Sequence, residues 1–381
     1  MTTPLELARA LRDLIESESD AIEKEGTMTA PVVDALDKSG LFRLLVPKAY
    51  GGMEADVDTI FAVAEELSYA DGSVGWSFSQ NTTCMALAAY LAPDQAQRLS
   101  DSRAAAGMFA PLGMAEKTGD TYKISGNYAF GSGSGHADYI GGGALVMENG
   151  EMVMGAKGIP VILGYMVPMG KARLKGNWDV MGLSGTGSYD FEIPEQSVEA
   201  GATFSVFGTE TIQGGPLYGL GSMVVGTLSS VAWALGVACR AMDEVAAIAK
   251  AGRARLGQDP LAQQQIFQRD FGTHMMAIDA GRLLATNAYN KAVEAIGNNA
   301  EQALIDDLVR DTKAASSYAV KVAKEATNFA WEAAGSGVIR KPGKLERCFR
   351  DMAAGAGHQV FDQRNYIEVA KKPLGQEPLP Y

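Results

Sequence analysis

Two stretches decide how this sequence is read: Gly126-Asn-Tyr-Ala-Phe-Gly-Ser-Gly-Ser-Gly-His-Ala-Asp138 and Trp178-Asp-Val-Met-Gly-Leu-Ser-Gly-Thr-Gly-Ser188. Glycines at 131, 133 and 135 let backbone N–H groups approach a flat ligand more closely than any β-carbon would allow. Trp178 adds an apolar wall with one donor. Each stretch alone also fits a bland reading, a Gly-Ser surface hairpin or a structural Trp in a β core. Together, in one β region and both ahead of a helical region, they point to a single ligand-facing layer.

Outward from these strings the texture falls into three parts. From 1 to 110 the apolar spacing is helical, in pieces. Leu36, Leu41, Leu44 and Leu45 form a face that stops at Val46-Pro47, and Asp71-Gly72-Ser73 breaks the next run before a helix through Trp76 to Leu91. From 111 to 216, Gly-punctuated and alternating segments predict an antiparallel β domain. From 217 to 381 the helical period returns, with breaks near Gly257 to Pro260, Gly297 to Asn299 and Gly335 to Gly343, and predicts a bundle of four long helices. The fold class is α+β, mostly α.

Composition narrows the function. Apolar residues make 47% of 381 and charged residues 20%, ordinary globular usage. With 33 Lys plus Arg against 45 Asp plus Glu and no basic run, the net charge of −12 argues against nucleic-acid binding. Cys84, Cys239 and Cys348 stand far apart and predict free thiols in a reducing, cytoplasmic compartment. The N-terminus, with Glu6, Arg9, Arg12, Asp13 and Glu16 among apolar residues, reads as an amphipathic helix and not a signal peptide. Thr211 to Cys239 carries no charge, but Gln213, Pro216 and many small residues favour a buried helix over a membrane span. Dinucleotide, P-loop, nucleophile-elbow and zinc-helix motifs are all missing, and the three histidines, His136, His274 and His358, show no metal-ligand spacing.

Helices, then β, then helices is the order of the acyl-CoA dehydrogenase superfamily, and the strings resemble its markers over nearly the full length. Leu41-Phe-Arg-Leu-Leu-Val-Pro-Lys-Ala-Tyr-Gly-Gly52 is similar to its early interhelical loop, and Asp71-Gly-Ser-Val-Gly-Trp76 to the start of a pocket-lining helix. The resemblance implies a flavin. Phe130, Ser132 and Gly133 would run beside its ring, with Ser132 at N5. Trp178, Thr186, Gly187 and Ser188 would hold the ring from a second strand, and Arg253 would meet the phosphate. Arg255 lies beside Arg253, and the Gly335-Ser-Gly-Val338 turn resembles one that a neighbouring subunit offers to flavin in the family's tetramers. A solvated helix end and a plain helix C-cap are the structural alternatives for those two features.

The branch within the superfamily turns on Leu345-Glu-Arg-Cys-Phe-Arg-Asp351 and its continuation Met352-Ala-Ala-Gly-Ala-Gly-His-Gln-Val360, read as the final helix. Where the common dehydrogenases place a glutamate base, this chain has His358 and Gln359, and a glutamine cannot take a proton. A histidine there resembles the two-component flavin-dependent monooxygenases (group D), and an imidazole titrating near neutrality could orient or deprotonate a phenol- or indole-like ring. Gly355 and Gly357 within a helix would signal a need for space or close approach beside it. Many such enzymes carry a second histidine after the residue matching Trp76, where this chain has Asn81 or Cys84. The resemblance thus implies catalytic residues His358 and Ser132, and a substrate pocket of Trp76, Asn81, Cys84, Phe109 and His358. It implies reduced flavin (FADH2 or FMNH2) and O2 as cosubstrates. The lack of a nicotinamide fingerprint adds a separate NAD(P)H-dependent flavin reductase. A dehydrogenase or oxidase with a base such as Glu244 or Asp279 is the nearest rival, and a helical binding protein without catalysis the next.

Overall fold

The computed structural model describes residues 2–155, 158–254 and 256–378; Arg255 lies outside them. Six helices come first: α1 Pro4–Ala10, α2 Arg12–Glu25, α3 Ala30–Lys38, α4 Val57–Ala70, α5 Gly72–Ala86 and α6 Pro93–Ser100. Local chemistry sets their ends. Thr3 and Glu6 close a capping box on α1. Asp71 stands extended between α4 and α5, and its carboxylate accepts from the N–H groups of Ser73 (2.9 Å) and Val74 (3.1 Å). The helix expected to run to Val46 ends at Lys38, because Gly40 turns left-handed (φ +75°), though Leu41, Leu44 and Leu45 are buried as expected.

Among the described residues eight strands follow: β1 Ala105–Thr118, β2 Thr121–Gly131, β3 Tyr139–Glu148, β4 Glu151–Met152, β5 Ile162–Pro168, β6 Arg173–Leu174, β7 Tyr189–Glu199 and β8 Thr203–Ser205. They make one sheet in the order β6-β7-β2-β1-β3-β5-β8, with β4 beside β3. The expectation of a wholly antiparallel layer is corrected at one place: β1 and β3 are parallel. After β2 the Gly-Ser turn lets the chain cross β1 and enter β3 at Tyr139, opposite Ala105. Ile124, Tyr128, Ile140, Tyr165, Phe191 and Ile193 form the sheet's own core, separate from the core of the helices.

Five helices close the chain: α7 Ser222–Lys250, α8 Gln265–Gly297, α9 Gln302–Ala334, α10 Lys344–Gly355 and α11 Arg364–Lys371. The expectation of four long helices is met by three, of 29, 33 and 33 residues; the fourth, α10, has only 12. Pro342-Gly343 delays its start and the glycine-rich run after Met352 ends it. The uncharged segment from Ser222 onward is the first part of α7, which packs against α4, α5, α9 and α10. Its most apolar window is 83% buried, so it is the axle of the helical core.

His136 shows how the two layers meet. Its Nε2 lies 2.9 Å from Asn81 Oδ1 on α5, and its ring stacks on Phe42 at 5.9 Å. Burial first, and Arg103 second, push its pKa from 6.5 down to about 4. An unfolded chain would bind a proton there that the folded one refuses, so the stability it contributes is complete above pH 6.5 and is lost as pH falls towards 4. Denaturant titration between those limits should show up to about 3 kcal/mol of acid destabilisation that His136→Gln largely removes.

Candidate functional site

A row of hydroxyls joins the two decisive strings. Trp76 on α5 donates through Nε1 to Ser132 Oγ at 3.1 Å. Ser132 Oγ is 2.8 Å from Ser188 Oγ, which is 2.6 Å from Thr186 Oγ1. Thr186 donates to the Leu183 carbonyl at 2.8 Å, and Trp178 Nε1 donates to the same carbonyl at 3.0 Å. Ser132, Thr186 and Ser188 are buried, whereas Phe130, at the edge of the turn, is 59% exposed and meets Trp178 edge-on at 6.1 Å. The result is an aromatic rim around a buried polar row.

The turns that carry this row are shaped by close approaches. A β-carbon at Gly133 (φ +73°) would lie 2.4 Å from the Asn81 amide, and one at Gly187 (φ +54°) 2.7 Å from Thr27 Oγ1. Phe130 (φ +62°) and Leu183 (φ +56°) also take the left-handed conformation, which side chains rarely adopt. Gly187 N–H to Gly26 O (2.8 Å), Gly133 N–H to Thr186 O (2.9 Å) and Gly185 N–H to Ser73 Oγ (3.2 Å) tie both turns to the helices and to each other.

Helix α10 grips the second turn with two adjacent residues. Arg350 donates to Met181 O at 2.9 Å, and Asp351 Oδ1 accepts from the Leu183 N–H at 2.6 Å. Gly182 is required between them, since its β-carbon would lie 2.0 Å from Arg350 O. Asp351 is 1% exposed and its Oδ2 has no hydrogen-bond partner. Burial first, and the charge of Asp71 second, push its pKa up to about 7. A carboxyl raised in this way stabilises the fold fully below 3.8, and that contribution is lost as pH rises through about 7. Arg347 lies 3.8 Å from Asp71 and 2.9 Å from Glu23, and Arg350 also reaches Glu23 at 2.9 Å, so two arginines offset these buried acids.

His358 is not on the final helix, a correction to the sequence reading. Helix α10 stops at Gly355, two turn residues follow, and His358 caps the short 3-10 turn Gln359–Phe361 with Nδ1 accepting from Val360 N–H at 3.3 Å. Gly355 is therefore terminal, and its demand is for close approach: a β-carbon would lie 2.2 Å from the Trp233 ring. The His358 ring is 5.7 Å from Trp76 and 6.2 Å from Phe361, and Trp76 stands edge-on to Trp233 at 4.8 Å. His358 is exposed yet has enough protein around it for desolvation to lower its pKa, the combination a concave wall produces.

The structure thus joins Trp76, Phe130, Ser132, Gly133, Trp178, Thr186, Gly187, Ser188 and His358 in one run of hydrogen bonds and ring contacts. Asn81 and Cys84 stay behind it. Asn81 is 0% exposed with its amide committed to Ala105 O and His136, and Cys84 is 3% exposed with burial pushing its thiol up to about 12. Phe109 stands against Phe204 at 5.4 Å. Arg253 lies apart from the row and against Gly337, whose β-carbon would come within 2.8 Å of its Nη1, so the two distant phosphate-side features share one surface. Leu183, Asp351 and Trp233 were not singled out from sequence. Asp351 lay inside a quoted string, but nothing in its spacing revealed the turn it holds.

A flavin fits this arrangement in kind. Exposed Phe130 and half-buried Trp178 present flat apolar faces beside a row of polar atoms, and the glycine turns keep that shelf thin. Comparison with known proteins gives the class. The acyl-CoA dehydrogenase N-terminal domain matches residues 5–105 and the acyl-CoA dehydrogenase C-terminal domain residues 228–363. The chain belongs to the acyl-CoA dehydrogenase superfamily.

More particularly, its relatives include flavin-dependent monooxygenases of that fold. It is 28% identical to the indole-3-acetate monooxygenase of Pseudomonas putida over 94% of this chain and 90% of that one. It is 24% identical to the flavin-dependent monooxygenase oxygenase subunit HsaA of Mycobacterium tuberculosis, covering 96% and 93%. XiaF from Streptomyces sp., solved in complex with FADH2 and glycerol, superposes with a TM-score of 0.86 at 21% identity, covering 99% and 96%.

Gly355→Ala should expose the tightest contact at the site. The added methyl displaces Trp233 and its edge contact with Trp76, costing about 1–3 kcal/mol by overpacking. Denaturant unfolding monitored by tryptophan fluorescence reads both effects.

Proposed function

We propose that this protein is the oxygenase component of a two-component flavin-dependent monooxygenase that hydroxylates or oxygenates a small aromatic or heteroaromatic substrate, phenol- or indole-like. The observation that carries this reading is the run of contacts from His358 through Trp76 to the buried hydroxyl row. When bound, reduced flavin supplies the two electrons that let dioxygen give one oxygen atom to the substrate and the other to water. Phe130 and Trp178 would hold the ring, Ser132, Thr186 and Ser188 would border its polar edge, and Arg253 would meet its phosphate. The oxygenase-subunit relative supports a separate NAD(P)H-dependent reductase as the source of reduced flavin.

The chain's own part is to orient the substrate and exclude water. With Nδ1 accepting from Val360, a neutral His358 carries its proton on Nε2 and offers it as a donor. Desolvation keeps the ring neutral at pH 7, so orienting a substrate oxygen or nitrogen is its resting role; taking up a proton requires release of the Val360 bond. Trp76 and Phe361 flank its ring with apolar surface, with Trp233 behind Trp76, which bound substrate would close against water. Glu244, the base considered for a dehydrogenase, is engaged by Arg240 at 2.8 Å, and Asp279 is bound by Arg282. Neither is a free carboxylate.

The compartment we assign is the cytoplasm, with Cys84 and Cys348 buried as free thiols. Helix α8 leaves Ile266, Met276, Leu283 and Leu284 between 45% and 69% exposed along its length. Such a stripe fits the subunit contact of a homotetramer, which would carry Arg253 and the Gly335–Val338 turn to neighbouring sites. Sedimentation should give a mass near four chains, reduced by Leu283→Glu.

Anaerobic titration with FADH2 or FMNH2, followed by oxygen and an indole or phenol, tests the activity. Tight binding of reduced flavin and a hydroxylated product are expected. Replacing His358 with Ala should lower product per flavin oxidised about tenfold or more; unchanged coupling would remove His358 from the reaction.

A further inference from the structure

The direction of the hydroxyl row is fixed by its two ends. Trp76 Nε1 has a hydrogen and no lone pair, so it donates to Ser132 Oγ. At the far end the Leu183 carbonyl can only accept, so the single Thr186 hydroxyl hydrogen points to it at 2.8 Å. Thr186 then has no hydrogen for Ser188, and the 2.6 Å contact between them requires Ser188 to donate. By the same count Ser132 must direct its own hydrogen to Ser188 at 2.8 Å. Ser132 Oγ keeps one free lone pair and no free hydrogen.

We infer that Ser188 is a positioning residue that holds Ser132 as an acceptor-only group, so that the site favours flavin in its reduced state. This rests on the reading of Ser132 as the neighbour of flavin N5. Reduced flavin carries a hydrogen on N5 and donates; oxidised flavin has a bare lone pair there and needs a donor. To serve the oxidised form, Ser132 must withdraw its hydrogen from Ser188, whose oxygen then loses a partner at a position only 2% exposed. Reduced flavin avoids that loss. Redox preference is in this way set from Leu183, through Thr186 and Ser188.

The test measures affinities of oxidised and anaerobically reduced flavin, and the midpoint potential of the bound pair, for the full chain, Ser188→Ala and Ser132→Ala. Ser188→Ala frees the Ser132 hydrogen, so the oxidised-to-reduced affinity ratio should rise roughly five- to tenfold, the worth of about one hydrogen bond, and the potential should fall. Ser132→Ala should also lose the preference for reduced flavin, without a gain in oxidised affinity. Equal loss of both affinities in Ser188→Ala, with ratio and potential unmoved, marks a merely structural residue and overturns the proposal. So does a Ser132→Ala protein that keeps the original ratio, and that comparison decides alone if Ser188→Ala does not fold. A wild-type chain that binds tightly with no preference refutes this inference only, whereas one that binds neither form refutes the flavin reading and this inference with it.

Discussion

The bond from the Leu183 N–H to the Asp351 carboxylate, at 2.6 Å, is the constraint on which the site depends. It joins the shortest of the helices packed on α7 to a loop of the sheet layer, and it does so at a residue in the left-handed conformation. From Leu183 the order propagates: its carbonyl takes Thr186 and Trp178, Thr186 meets Ser188, and Ser188 meets Ser132. The same helix ends three residues before His358. One strut therefore bears on both the polar row and, through the end of α10, the imidazole packed on Trp76.

Burying that carboxylate is expensive, and the surroundings show how the expense is met. Asp71 and Asp351 are both buried, and burial raises the pKa of each, with the charge of Asp71 adding to the rise at Asp351. Arg347 and Arg350 extend the network to Glu23 on α2, whose own carboxyl, despite burial, is held down to about 2 by Lys341, Arg347 and Arg350. Gly72 completes the fit, because a β-carbon there would lie 2.5 Å from Asp351 Oδ2. Charge, backbone conformation and missing side chains all serve the same few contacts.

Much of this was legible in the sequence. The three-part order and both Gly-rich strings could be read directly, because each is carried by residue type or local spacing, whereas His358 in place of a carboxylate was implied only by the family resemblance. The rest depended on tertiary partners. The parallel pairing of β1 with β3 follows from how the Gly-Ser turn crosses, which alternation cannot reveal. Gly355 and Gly357, read as a need for space or close approach within a helix, stand at its end instead, and the close approach is that of Trp233 to Gly355. Asn81 and Cys84 fell at the right sequence positions for a pocket, yet α5 is buried on nearly every face, and their faces meet protein. Burial on all sides erases the periodicity that would have told inside from pocket.

The glycine shelf has an evolutionary consequence. Gly133 rests on Asn81, while Gly135 and Gly187 rest on Thr27, so almost any side chain introduced there pushes the shelf out of place. That floor is closed to gradual change. Drift towards a new substrate would have to accumulate on the wall that follows α10, where Gly357, His358 and Gln359 are exposed. A directed-evolution library for altered substrate choice is best confined to that wall.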